Sequence, residues 1–112
     1  MIIAFTAQQP QIESSVDPRF GRAPYFILVD AETSKWEACI NPAANQSGGA
    51  GVAAAQFVIN KKADAVISGD FGPNASKALN EAHIKMNMYT SGISSVKEAV
   101  DLYRQGNLPR FE

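Results

Sequence analysis

The chain holds one cysteine, Cys39, and one histidine, His83. A single thiol excludes an intrachain disulfide and any CxxC metal knuckle. His83 reads as a surface residue at a helix end, and Ser14, Ser15 and Ser47 have no histidine placed to activate them, so no nucleophilic triad is assigned. Charge of either sign is scarce. Ten basic and eleven acidic residues leave a net charge of −1, which predicts no general attraction to nucleic acid or to an anionic membrane. No apolar run approaches the ~18 residues of a spanning helix. The opening MIIAFTAQQP lacks the basic and apolar regions of a secretory signal. A cytoplasmic protein with a reduced thiol is therefore expected. Nucleotide motifs are missing too. GGAGVAAAQ lacks the Lys-Ser/Thr ending of a P-loop, and GDFGPNA is not a GxGxxG with a downstream acid. Asp30, Asp64 and Asp70 lie apart at strand ends and read as turn and cap residues. No catalytic residue is assigned, and the chain is expected not to be an enzyme.

What remains is a strongly patterned sequence. Its 112 residues, 46% of them hydrophobic, suit one domain over 1–112 that buries roughly two-thirds of its unfolded-chain surface. Ile2 to Thr6 is apolar and β-prone, and it ends at polar Gln8-Gln9-Pro10. It reads as a buried first strand. Uniform hydrophobicity places it centrally, since strands covered on both faces need apolar side chains on both. Tyr25 to Asp30 and Lys35 to Ile40 read as a hairpin around Ala31-Glu32-Thr33-Ser34. On its second strand Trp36, Ala38 and Ile40 share one face and Glu37 and Cys39 the other, with Cys39 expected to be a small buried thiol.

Helices are predicted from Gly51 to Asn60, with Val52, Ala55 and Ile59 on one face, and from Pro73, with Ala75, Ala78, Leu79 and Ala82. A third starts at the capping box Ser95-Val96-Lys97-Glu98, carries Val96, Ala99, Val100 and Tyr103, and stops at Gly106. Asp64 to Ser68 and Met86 to Thr90 supply the remaining strands. The order β β β α β α β α predicts a three-layer α/β domain: a five-stranded mixed sheet with three helices, its second half joined by right-handed parallel crossovers.

Three loops could carry chemistry. They are VDPRFGRAP, NQSGGAG and SGDFGPNA, and the topology predicts that they meet at one end of the sheet, where open α/β folds bind ligands. Glycines let a ligand approach the backbone, and helix starts offer free N–H groups with partial positive charge. Arg19 and Arg22 add charge. The candidate cofactor-binding residues are Arg19, Phe20, Gly21, Arg22, Gly48, Gly49, Gly51, Gly69, Gly72 and Asn74. Two plainer readings compete: the glycines serve tight turns, and Arg19 and Arg22 are solvated or paired with Asp17.

Ser15-Val16-Asp17, Phe20-Gly21-Arg22-Ala23-Pro24-Tyr25-Phe26, Asn41-Pro42, Gly49-Ala50-Gly51, Ala65 to Gly69, Gly72-Pro73-Asn74-Ala75 and Tyr103 to Leu108 together resemble the dinitrogenase iron-molybdenum cofactor biosynthesis family. The likeness covers nearly the whole chain. It implies a ribonuclease H-like motif and a nitrogen-fixation role, carrying or assembling an iron–molybdenum or related metal–sulfur cofactor with cofactor-assembly partners. Members commonly carry a histidine just before the Phe-Gly pair, where this chain has Arg19. A guanidinium stays charged and offers no lone pair, so Arg19 is expected to act as charge rather than as a metal ligand, and no metal ligand is assigned. A ribonuclease H-type nuclease is excluded because Ile2 to Thr6 projects no carboxylate. The reading is a binding or carrier protein for an anionic metal–sulfur cofactor. The alternative is a small-anion-binding or regulatory domain of the same fold without metal. A monomer is expected, with an exposed sheet edge able to pair two copies weakly.

Overall fold

The computed structural model describes residues 1–111. Its elements run β1 (Ile2–Ala7), β2 (Tyr25–Asp30), β3 (Trp36–Ile40), α1 (Ala50–Asn60), β4 (Ala65–Ser68), α2 (Pro73–Glu81), β5 (Lys85–Met88) and α3 (Val96–Arg104). They build the expected five-stranded mixed sheet with three helices, in the order β3-β2-β1-β4-β5. β1 pairs antiparallel with β2 and parallel with β4, and β5 continues the parallel half. β1 is central, as its uniform hydrophobicity requires: every residue from Ile3 to Ala7 is buried.

Strand alternation divides the core into two. On one face Ala4, Phe26, Leu28 and Val66 meet Ala54, Ala55 and Val58 of α1 and Ala75 and Leu79 of α2. On the other face Ile3, Phe5, Ile27 and Ile67 meet Val96, Ala99 and Val100 of α3. Two helices thus share one face while one covers the other. Sharing requires small contact residues, and a Cβ on Gly51 would sit 3.3 Å from the Cβ of Ala75.

The structure corrects several local expectations. The buried stripe of α1 is Ala50, Ala54, Ala55 and Val58, not Val52, Ala55 and Ile59. Val52 is 47% exposed, because the close approach of α2 selects the alanine face over the bulkier one. On α2, Ala75 and Leu79 are buried, but Ala82 lies just past the helix and is exposed. β5 ends at Met88, two residues early, and the C-terminal segment binds its outer edge: Met88 N donates to Pro109 O at 2.8 Å and Phe111 N to Met86 O at 3.0 Å. Cys39 is only half-buried, since β3 lies at the open edge where the helical layer thins.

The start of α3 is fully tied. Ser95 Oγ accepts from Glu98 N at 3.2 Å, Glu98 Oε1 accepts from Ser94 N at 3.1 Å, and Val96 N and Lys97 N donate to Ser14 O and Ile12 O. The serine half of the capping box expected there is therefore formed, with Glu98 reaching back to Ser94 N rather than to Ser95 N, and the helix start also fastens the loop after β1. Ser95→Ala is expected to lower stability by about 1 kcal/mol, read as a shifted urea midpoint with an unchanged slope.

Candidate functional site

The segment after β1 is laid across the ends of β1 and β4. Asp17 N donates to Thr6 O at 3.1 Å, the Thr6 hydroxyl donates to Asp17 O, and Phe20 N donates to Asp70 O at 3.2 Å. Beneath it, Tyr89 donates its hydroxyl to Thr6 O at 2.8 Å, and burial pushes that phenol far above its ordinary pKa. Phe20 fastens the segment from the core side. It is 1% exposed, with ring centroids 5.5 Å from Phe26 and 5.4 Å from Phe71. Its role is packing, with only the edge of the residue contributing to the cavity wall.

Two glycines permit this path by lacking a side chain. A Cβ on Gly69 would lie 2.7 Å from Pro18 Cα, and one on Gly21 would lie 2.9 Å from Gly51 N. Real Cβ atoms do not come that close, so the segment can cross only over glycine. The second loop is held by Asn41, a residue missing from the sequence-based candidates. Its buried Nδ2 donates to Ala23 O at 2.9 Å and Gly21 O at 3.2 Å, and its Oδ1 accepts from Ala43 N. The signal available in the sequence was the Asn41-Pro42 pair closing a strand. Arg22 adds hydrogen bonds to the carbonyls of Ala44 and Gln46.

The three segments border an open cavity of about 380 Å³. Of the sequence candidates, Arg19, Phe20, Gly21, Arg22, Gly49, Gly51, Gly72 and Asn74 line it, whereas Gly48 and Gly69 do not. Ala50, Val52, Asp70, Phe71, Pro73 and Ala75 complete the wall. Both α1 and α2 begin there on glycines with positive φ, Gly49 at 71° and Gly72 at 76°, and neither helix has a side-chain cap. Helical hydrogen bonding starts with Ala53 N to Gly49 O and Ser76 N to Gly72 O. Among the described residues, the N–H groups of Ala50, Gly51, Val52, Asn74 and Ala75 bond to no loop, cap or side chain. Two helix N-termini thus point their free donors and partial positive charge at one space.

The side-chain charges nearly cancel. Asp17, its side chain 1% exposed, takes Arg19 Nη2 at 2.8 Å, Arg19 Nε at 3.0 Å and Arg19 N at 2.8 Å. That hydrogen bonding, with the attraction of the carboxylate, raises the Arg19 pKa further. Arg19 is paired, as the plainer reading of the sequence had it, and it also lines the cavity. Asp70 is the carboxylate of the wall itself, its Oδ1 accepting from Gly72 N at 3.3 Å. Two arginines and two aspartates leave the backbone donors as the main uncompensated positive potential. Cys39 and His83 lie away from the cavity lining. Burial, and then the nearby Glu37 carboxylate, raise the Cys39 thiol above its ordinary pKa, so it is a poor thiolate. Among the described residues no three His, Cys, Asp or Glu side chains group to hold a metal ion, and no helix is long and apolar enough to cross a membrane.

The fold and the cavity define an open α/β protein with a candidate anion pocket at the carboxyl ends of its central strands, between two helix N-termini. The chain belongs to the dinitrogenase iron-molybdenum cofactor family, whose model matches residues 1–106. It is similar to the orange protein of Desulfovibrio gigas, solved in its apo form, with 40% identity, 98% of this chain and 92% of that one covered, and a TM-score of 0.92. A NifB-like protein of Thermotoga shares 28% identity over 97% of this chain and 91% of its own, with a TM-score of 0.83. An uncharacterized protein of Methanocaldococcus jannaschii is 28% identical over 106 residues, 92% of this chain and 88% of that one. Family and neighbours mark it as a cofactor-associated protein.

The glycine geometry separates positions that look alike in the sequence. Gly69→Ala and Gly21→Ala are each expected to destabilise by about 1–3 kcal/mol through overpacking against backbone. Gly48→Ala, where a Cβ would meet nothing within 4 Å, is expected to stay within about 0.5 kcal/mol of the parent. Urea unfolding of the three variants side by side reads the difference.

Proposed function

We propose that the chain binds and carries an anionic metal–sulfur cofactor of the iron–molybdenum or a related type in the cavity between α1 and α2. The observation that carries this reading is the pair of helix starts whose N–H groups find no partner and face one space, set against α3, whose first N–H groups are all satisfied. The free donors of a helix start are ordinarily met by a side-chain cap, by water or by a ligand. A ligand with several acceptor atoms would satisfy both starts at once.

The chemistry of the wall favours sulfide over a hard oxoanion. Phe71, Val52, Pro73 and Ala50 give it apolar surface beside the donors, and its ionised side chains nearly balance. A strongly hydrated phosphate would lose much hydration there for little net charge, whereas a diffuse, polarisable sulfide-bearing anion loses less. Asp70 is the one carboxylate in the wall and a hard donor unsuited to a soft metal, and Arg19 has no lone pair to give. The cofactor would therefore bring its own sulfide ligands, and the protein would hold it by N–H groups, Arg19 and Arg22. Release to an acceptor then requires no protein–metal bond to break.

Anaerobic titration with a thiomolybdate, followed by its visible absorbance, tests this, with molybdate and phosphate as competitors. Arg22→Ala is expected to weaken binding about tenfold or more, the scale of a hydrogen bond to a charged group. Asp70→Asn keeps the acceptor for Gly72 N and removes a like charge, so it is expected to tighten binding by up to about fivefold, less at high salt. Absence of any spectral change overturns the reading. Phosphate competing on equal terms would favour the metal-free small-anion alternative.

A further inference from the structure

The two edges of the sheet are treated differently. The edge at β5 is covered by the chain's own C-terminal segment, through Met88 N to Pro109 O, Phe111 N to Met86 O and Asn87 Nδ2 to Leu108 O. The edge at β3 has no such cover among the described residues. Edge strands are ordinarily blunted by lysine, proline or a bulge. Within Trp36–Ile40 there is none of these, and the register with β2 runs unbroken from Val29–Trp36 to Tyr25–Ile40.

The flanking hydrogen bonds fix which backbone groups are free. Asp30 N donates to Lys35 O and Asn41 N donates to Pro24 O. In an antiparallel ladder bonded pairs recur every second residue, so Lys35, Glu37, Cys39 and Asn41 bond inward to β2. Trp36, Ala38 and Ile40 therefore turn their N–H and C=O groups outward. The same residues carry the exposed apolar side chains of the strand, with Trp36 at 43% and Ile40 at 73% exposure.

We propose that this edge pairs with a second copy of the chain, β3 against β3 in antiparallel register about a two-fold axis at Ala38. Every outward group then finds a partner: Trp36 exchanges bonds with Ile40 of the other copy, and Ala38 with its own equivalent. The side chains agree with the backbone. Trp36 stands opposite Ile40 on both sides of the axis, an aromatic–aliphatic pair that stabilises cross-strand contacts. On the other face Glu37 meets Cys39, and Lys35 meets Asn41, so no like charges stand directly opposite. Registers centred elsewhere on the strand leave at least one of the three residues unpaired. A contact of so few residues is small for a protein interface, so a weak, reversible dimer is expected. The inference is independent of what the cavity binds.

Trp36 is the only tryptophan in the chain, so its fluorescence reports the contact directly. The full chain is examined by sedimentation velocity from about 10 µM to about 1 mM, a span that brackets weak association. A rising sedimentation coefficient, a blue shift of Trp36 emission and slowed amide exchange at Trp36, Ala38 and Ile40 are expected together. Ala38→Pro removes the central outward N–H, a change that an edge strand accommodates, and is expected to leave a monomer throughout. Ile40→Lys is expected to weaken association at least tenfold, and at 73% exposure it disturbs no core, so it decides the matter if the proline variant fails to fold. A wild type that stays monomeric with constant emission overturns the proposal. So does association that both variants, still folded by circular dichroism, retain unchanged.

Discussion

The crossing of Asp17 to Gly21 over the carboxyl ends of β1 and β4 is the constraint on which the rest of the site depends. It is a steric constraint before it is a chemical one, because Pro18 lies against Gly69 and Gly21 against the first turn of α1 at distances only glycine allows. Once the segment passes there, Thr6 and Asp70 supply its backbone partners, and Phe20 drops into the core between Phe26 and Phe71. The cavity is what remains above that crossing. Its floor is also the roof of the core, where Phe20 and Phe71 are buried.

The three helices show how the fold divides its polar groups between stability and binding. α3 starts on a serine cap with a glutamate reaching back to Ser94 N and two loop carbonyls, so its donors are used up in holding the chain together. α1 and α2 start on glycines with positive φ, that of Gly72 in a region essentially restricted to glycine, and their donors stay free. A serine or aspartate cap of the kind that starts α3 needs extended backbone at the cap position, which Ser95 has and Gly49 and Gly72 do not. The sequence instead leaves both starts open where they face each other, which is the local inconsistency expected of a functional site rather than of a scaffold.

Much of this was legible in the sequence. The order and type of all eight elements, the central place of β1 and the meeting of the three candidate loops followed from periodicity, caps and topology. What failed did so for tertiary reasons. The buried face of α1 was misread because alanines give a weak hydrophobic signal, and it takes the neighbouring α2 to make Ala50 and Ala54 preferable to Val52. Cys39 was expected to be buried by residue type, but edge placement overrides type. The early end of β5 depends on residues 108–111 returning to its flank, a contact no local pattern announces. Among the glycines, Gly69 reads in the sequence like a ligand loop and proves to be a packing residue, while Gly21 does both. Composition alone cannot tell a glycine needed for a ligand from one needed for a neighbouring backbone.

The two arginines show the same limit for charge. Counted in the sequence, Arg19 and Arg22 look like a positive patch, yet Arg19 lies in a bidentate pair with a carboxylate that is itself almost wholly buried. A buried aspartate without that guanidinium would be costly to desolvate, so the pair must form whether or not a ligand is present. Pairing also restrains the rotamer of Arg19, which lines the cavity, so the side chain would lose little freedom on binding a ligand there. Arg22 is held in a comparable way by the carbonyls of Ala44 and Gln46. Neutral on balance but rich in fixed donors, such a rim attracts weakly at long range and discriminates by shape and hydration at short range. Such a rim suits the ligand proposed above, a bulky, diffuse anion to be told apart from phosphate and other small oxoanions.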